Sequence, residues 1–243
     1  MAVRNRRALE AGRLLAEGSP ALERARARLH EPHVAPLTDL VGQVRARTGE
    51  HVPDVDPGGG GVRARVLLLR QDPFCSARDG ARLVSPYADD ATSAGVLRAC
   101  EAAGLPDGDV LLWNVVPWWV HDPDRVPPGR RTRARPAEAR RAAPWLRALL
   151  DLLPRLDTVV LLGRDAQAEW GVATGGTEGV TAGPDGATPG GTLRVLRCPS
   201  PSPMSLHGRD AAGRSHRELV SQAFAAAAAP PGAPEGAPGG PGV

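Results

Sequence analysis

Lysine is absent: all 30 basic residues of the 243-residue chain are arginine. Together with 29 glycines and 25 prolines this is a chain-wide compositional bias, so arginine abundance is weak evidence for a polyanionic partner. The net charge of +3 and pI near 9.2 permit such a partner without requiring one. Cysteine is scarce, and Cys75, Cys100 and Cys198 are odd in number and far apart. That pattern excludes a disulfide framework and a paired metal knuckle. An iron–sulfur cluster normally takes one more thiolate than the chain holds. Long apolar runs are missing too. No window approaches the roughly 18 apolar residues of a membrane-spanning helix, and no signal-peptide-like stretch opens the sequence. The expectation is a cytoplasmic, reducing location without a membrane partner. The length suits one α/β domain with attached peptide.

Residues 3–49 alternate arginine, glutamate, alanine and leucine at helical spacing, punctuated by Ser19-Pro20 and by Pro32 through Pro36. They predict two or three short helices, an N-terminal helical extension over 1–52. Asp54-Val55-Asp56-Pro57 and the glycines Gly58 to Gly61 break that periodicity and read as a Gly/Pro linker over 53–61. From 62 to 226, short apolar runs alternate with helical patterns. Runs at 66–69, 110–113, 158–162 and 192–197 predict strands. Helices are expected at 91–103, capped by Asp89 or Asp90 and closed by Gly104, at 136–153, after Gly163 through Ala166 to Trp170, and at 214–226. The expected fold is a three-layer α/β/α sandwich around a central, mainly parallel four-stranded sheet. Residues 227–243, alanine followed by proline and glycine, read as a disordered tail.

Three of these strands stop at polar clusters: Arg70-Gln71-Asp72-Pro73-Phe74, Trp113-Asn114, and Cys198-Pro199-Ser200-Pro201-Ser202-Pro203-Met204-Ser205. Ligands of open α/β sheets bind outside the carboxyl ends of the strands. An acid, an amide and a proline-stiffened loop at one rim therefore form a candidate site.

These clusters, with Val159-Val160-Leu161-Leu162-Gly163-Arg164-Asp165-Ala166-Gln167 between the last two, follow the motif order of the uracil-DNA glycosylase superfamily. Over roughly residues 62–224 the chain resembles most closely its first family, with G-Q-D-P-Y, L-L-L-N, V-x-L-L-W-G-x-x-A-Q and H-P-S-P-L-S-x-H. The resemblance implies a base-excision repair enzyme that hydrolyses the N-glycosidic bond of uracil or a related damaged base in DNA. A monomer needing no metal or organic cofactor is expected.

By that resemblance Asp72 would position the attacking water and stabilise an oxocarbenium-like sugar cation. Backbone amides around Gln71 and Asp72 would donate to a base carbonyl where charge develops. Asn114 would read the edge of a flipped pyrimidine, and Phe74 would pack against its 5-position. Met204 stands at the place of a leucine wedge, with Ser202 and Ser205 near phosphates and His207 matching the loop's second histidine. Ser200 stands where the family carries the histidine that stabilises the leaving base. Loss of one such donor typically costs about 10²–10³ in rate; His207 or His121 are alternative donors. Arg70 and Cys75 replace a glycine and a histidine, which alters the pocket entry. The family's stacking aromatic has only Val84 as counterpart, leaving Tyr87, Trp118 or Trp119 as candidates from another direction. Seven arginines within 125–141 read as a basic arm over phosphates or as a solvated face. Two further readings stand beside the enzyme: a non-catalytic or weakly active nucleic-acid-binding protein of the same fold, and a hydrolase of a small N-glycoside.

Overall fold

The computed structural model describes residues 3–73, 82–120, 136–175 and 193–230. Phe74, Cys75, His121, the arginines at 125–135 and residues 231–243 lie outside the described residues. In chain order, α1 (Arg6–Glu10), α2 (Pro20–Ala27) and α3 (Ala35–Thr48) precede β1 (Asp54–Val55) and β2 (Val66–Arg70). Then come β3 (Leu83–Val84), α4 (Ala91–Ala103), β4 (Val110–Asn114), α5 (Pro136–Asp151) and β5 (Thr158–Leu162). The described chain closes with α6 (Arg164–Thr174), β6 (Arg194–Cys198), α7 (Pro203–Leu206) and α8 (His216–Ala228).

Four parallel strands in the order β4-β2-β5-β6 form the central sheet. Every residue of β2, β4 and β5 is buried, whereas β6, at the edge, is half exposed. Unbroken runs such as Val66-Leu67-Leu68-Leu69 are what a sheet covered on both faces requires. The cover comes as two groups of helices: α4 packs with α8, and α5 packs with both α6 and α3. Of the two candidate caps for α4, Asp90 is the one used, its carboxylate accepting from Ser93 N at 2.8 Å, and Gly104 closes the helix in the left-handed region. Arg65 finishes α8 by donating to the Ala227 and Ala228 carbonyls at 3.1 and 2.8 Å, a cation at the negative end of the helix dipole.

Strand order also fixes where a ligand fits. The chain leaves β2 for β4 on one side, but leaves β5 for β6 on the other. Between the carboxyl ends of β2 and β5 the connections diverge, and this topological switch opens a crevice.

Residues 53–61 differ from the expected linker because tertiary contacts use them. β1 pairs in parallel with β3, Asp54 opposite Leu83 and Val55 opposite Val84. Asp56 is buried and accepts from the Ser85 hydroxyl and, at 2.7 Å, from Gly58 N. A Cβ on Gly61, which adopts φ +57°, would stand 2.0 Å from the His33 carbonyl oxygen. Glycine serves close backbone approach here, as well as a positive φ. The helices before this segment join the same body. Leu37, Leu40, Val41 and Val44 of α3 belong to the core cluster of the sheet. Asn5 Nδ2 donates to the Pro86 and Ala88 carbonyls at 2.9 and 3.1 Å. Arg141, from the arginine-rich segment, meets Glu50 at 2.7 Å and Glu138 at 3.2 Å and lies 4.6 Å from the Trp118 ring centroid. These contacts make it a tie within the fold.

One contact couples the helical layer to the last loop. A Cβ on Gly95, inside α4, would stand 1.9 Å from the Pro201 carbonyl oxygen. Alanine is the better helix former by about 1 kcal/mol, whereas overpacking costs about 1–3 kcal/mol. Contact with backbone leaves no side chain to swing aside, so the clash wins. Gly95→Ala is expected to lower the unfolding free energy by about 1–2 kcal/mol in urea titration; an unchanged or higher value would mean that the loop is not seated on α4.

Candidate active site

Register brings the polar clusters to one rim. Arg70 pairs with Asn114, Leu69 with Leu161, and Leu162 with Cys198. Strand ends thus lie at one level, with Asn114 closing β4 and with Asp72 and Ser200 each just past the end of a strand. The β2–β4 ladder continues beyond them. Val115 N donates to the Arg70 carbonyl at 2.8 Å and Val116 N to the Gln71 carbonyl at 2.9 Å, which pins the backbone that carries Asp72 beside Asn114.

Asn114 has no exposed surface, and neither Oδ1 nor Nδ2 has a hydrogen-bond partner among the described residues. Leaving a buried polar group unpaired costs about 1–3 kcal/mol, and native proteins seldom do it. Here one planar amide offers a donor and an acceptor side by side, the pairing that a pyrimidine edge requires. Arg70, paired with Asn114, is a buried strand residue whose Nη1 lies 3.5 Å from Ser93 Oγ, and the hydroxyl itself donates to Asp90 at 2.7 Å. Its guanidinium is therefore drawn toward α4, and its Nε is buried without a partner among the described residues.

Across the crevice stands a residue that sequence reasoning passed over. Glu169 of α6 is only 4 % exposed, and its Oε2 has no hydrogen-bond partner among the described residues. Burial, then the charges of Asp72 and Asp165, pushes its carboxyl up to about 8. The Gln71 amide, close enough to act on the carboxyl, opposes that rise, yet its Nε2 makes no well-formed hydrogen bond among the described residues. A signal existed in the sequence. Ala166 and Trp170 mark the buried stripe of α6, and Glu169 falls on the same stripe, where the helical period calls for an apolar side chain.

The last loop is held by backbone contacts. The Cys198 carbonyl accepts from Gly163 N at 2.9 Å and from Gln167 Nε2 at 3.0 Å. Gly163 has φ +97°, and a Cβ there would meet Ser200 Cβ at 3.4 Å, so Ser200 comes down over the end of β5. Its hydroxyl accepts from Ser202 N at 3.4 Å. Ser202 caps α7, its Oγ facing Ser205 N at 3.4 Å, and Met204 projects from this short helix with 75 % of its surface exposed. His216 Nδ1 lies 2.8 Å from the Ser205 carbonyl oxygen and, as the Nδ1–H tautomer, donates to it, fastening α7 to α8. His207 follows α7 and is exposed.

Two of the proposed stacking aromatics are committed elsewhere. The Tyr87 hydroxyl donates to Asp107, just before β4 and so at the rim opposite Asn114, while Arg13 covers its ring at 3.7 Å from the centroid. Trp118 is buried, and its Nε1 donates to Glu138 at 2.8 Å. Val84 is likewise buried, within β3. Among the described residues no group of three or more His, Cys, Asp or Glu side chains is placed to hold a metal ion, and no helix is long and apolar enough to cross a membrane.

The profile of the Uracil DNA glycosylase superfamily matches residues 57–225. The chain belongs to that superfamily. The matched span starts within the packed glycine segment and ends in α8, enclosing the central sheet and every element of the rim. No curated protein matches the chain in sequence. Superfamily membership brings a general glycosylase chemistry directed at DNA.

Asn114→Leu replaces an amide that has no partner among the described residues by an apolar group of similar size. It is expected to raise the unfolding free energy by about 1–3 kcal/mol, measured by denaturant titration without DNA. A loss of stability would mean that the amide is already satisfied and does not await a ligand.

Proposed function

We propose that this protein is a DNA glycosylase that removes uracil or a related damaged base during base-excision repair. The observation that carries the reading is the buried amide of Asn114, without a hydrogen-bond partner among the described residues, at the rim that also holds Asp72. In the proposed reaction a water oxygen bonds to the sugar C1′ while the C1′–N bond breaks. The base leaves with the bonding pair and takes up a proton, and an abasic site remains. Asp72 stabilises the cation that grows on the sugar. Asn114 and the Gln71 segment hold the base edge. Met204 is the wedge that fills the gap left in the DNA stack, an assignment supported by its exposure on a capped helix, and Ser202 and Ser205 lie beside it for phosphate contacts.

One observation favours the non-catalytic or weakly active alternative. At the family's histidine position the Ser200 hydroxyl accepts from the Ser202 amide; its O–H can still donate, but the side chain is too short to reach as far as an imidazole. A mobile donor for the leaving base is therefore weak at this position.

A screen of single- and double-stranded oligonucleotides carrying uracil and other damaged bases tests the reading by direct detection of released base. Tight binding with every substrate intact would leave the binding-protein alternative. Asp72→Asn is expected to lower release by about 10²–10³ or more while oligonucleotide binding persists; unchanged turnover would remove Asp72 from the chemistry. Ser200→His is expected to raise release of uracil by about tenfold or more, and a fall would mean that the pocket is built around serine.

A further inference from the structure

Glu169 has no part in the reaction just described, yet its position is costly and specific. It lies on the buried stripe of α6, almost without exposure, and its Oε2 lacks a partner among the described residues. The charges that act on it are Asp72, from the loop after β2, and Asp165, from α6 itself, and both are negative. The neutral group beside it is the Gln71 amide. α5 packs along α6, and its buried residues include Ala139, Ala142 and Leu146. A buried carboxyl facing like charges keeps its proton rather than its charge.

We propose that Glu169 is a positioning residue for the acid loop: uncharged in its buried site, it leaves the carboxylate charge of the crevice on Asp72 and leaves the Gln71 Nε2 donor uncommitted for the incoming base. The inference rests on the glycosylase reading for its catalytic consequence, but the arrangement of the two carboxyls can be measured without substrate. Loss of the proton would undo both effects. An ionised Glu169 would take the Gln71 amide as its own donor, and a second negative charge would repel Asp72 and oppose the charge that develops on the departing base. Because burial raises this carboxyl to about 8, the uncharged form is present below that pH and is lost as the pH rises through it. Base release should fall on the alkaline side.

The full chain, labelled with ¹³C at glutamate side-chain carboxyls, gives the decisive titration, with Glu169→Gln assigning the resonance. The wild-type Glu169 signal is expected to titrate near or above neutrality, and Asp72→Asn is expected to move its midpoint down. A midpoint in the ordinary carboxylate range, or one indifferent to Asp72→Asn, overturns the proposal whatever the activity. Single-turnover base release supplies the second measurement, read as the ratio of rates at pH 9 and pH 6 within each protein. Wild type should lose about tenfold per pH unit beyond the midpoint, whereas Glu169→Gln, locked uncharged, should flatten the profile. A Glu169→Gln profile that keeps the alkaline fall overturns the positioning role. Should the expected carboxyl titration appear while no substrate loses a base, the glycosylase reading fails and the coupled carboxyl pair stands.

Discussion

β2, β4 and β5 are buried from their first residue to their last, so the strand ends are where the sheet can turn polar side chains toward a ligand. That constraint organises the rest of the molecule. Parallel strands need crossover connections, the crossovers become the helices that bury both faces, and all the carboxyl ends consequently emerge on one side. The order β4-β2-β5-β6 then separates the connections between β2 and β5, and Asp72 and Gly163 border the opening. The site is a consequence of how the sheet is covered.

Stability is given up at this rim. Asn114, Arg70, Gln71 and Glu169 each hold a buried polar atom with no hydrogen-bond partner among the described residues. Such deficits are expensive singly, and those of Arg70, Gln71 and Asn114 fall at or just past the ends of β2 and β4. The surroundings compensate with rigidity. Gly95 lets Pro201 rest on α4, Gly163 lets Ser200 rest on β5, and Gln167 holds the final carbonyl of β6. Each contact removes freedom from the loop that presents Ser200 and Met204.

The strands were legible because buried parallel strands leave unbroken apolar runs, and β6 was the least regular of them because it is less covered than the other edge strand, β4, and so admits Arg194 and Arg197. The Asp72 and Asn114 ends were legible for a related reason: the runs stop abruptly at residues with strong chemistry. What escaped the sequence depends on partners far along the chain. Two-residue strands have no periodicity, so β1 is visible only through its pairing with β3. Gly61 reads as flexibility until His33 is placed against it. Tyr87 and Trp118 read as free aromatics until Asp107 and Glu138 engage them. Glu169 was hidden because an acid on a helix is ordinarily solvated, and only the tertiary fold buries this one within reach of the Asp72 charge.

Placing Ser200 and Glu169 together clarifies how the charge of the site is distributed. A histidine at the Ser200 position would bring a group able to donate to a departing base from the β6 side; the serine found there is shorter and faces Ser202 N. On the proposed reading, stabilisation of the base would then come from the other side of the crevice, from the Gln71 segment and Asn114. Those donors are useful only while no nearby carboxylate competes for them, and the Gln71 amide already acts on the Glu169 carboxyl. On the proposed reading Glu169 stays protonated, so a weaker donor at the last loop and a silent acid on α6 would bear on the same quantity, the negative charge that the pocket can accept on the base.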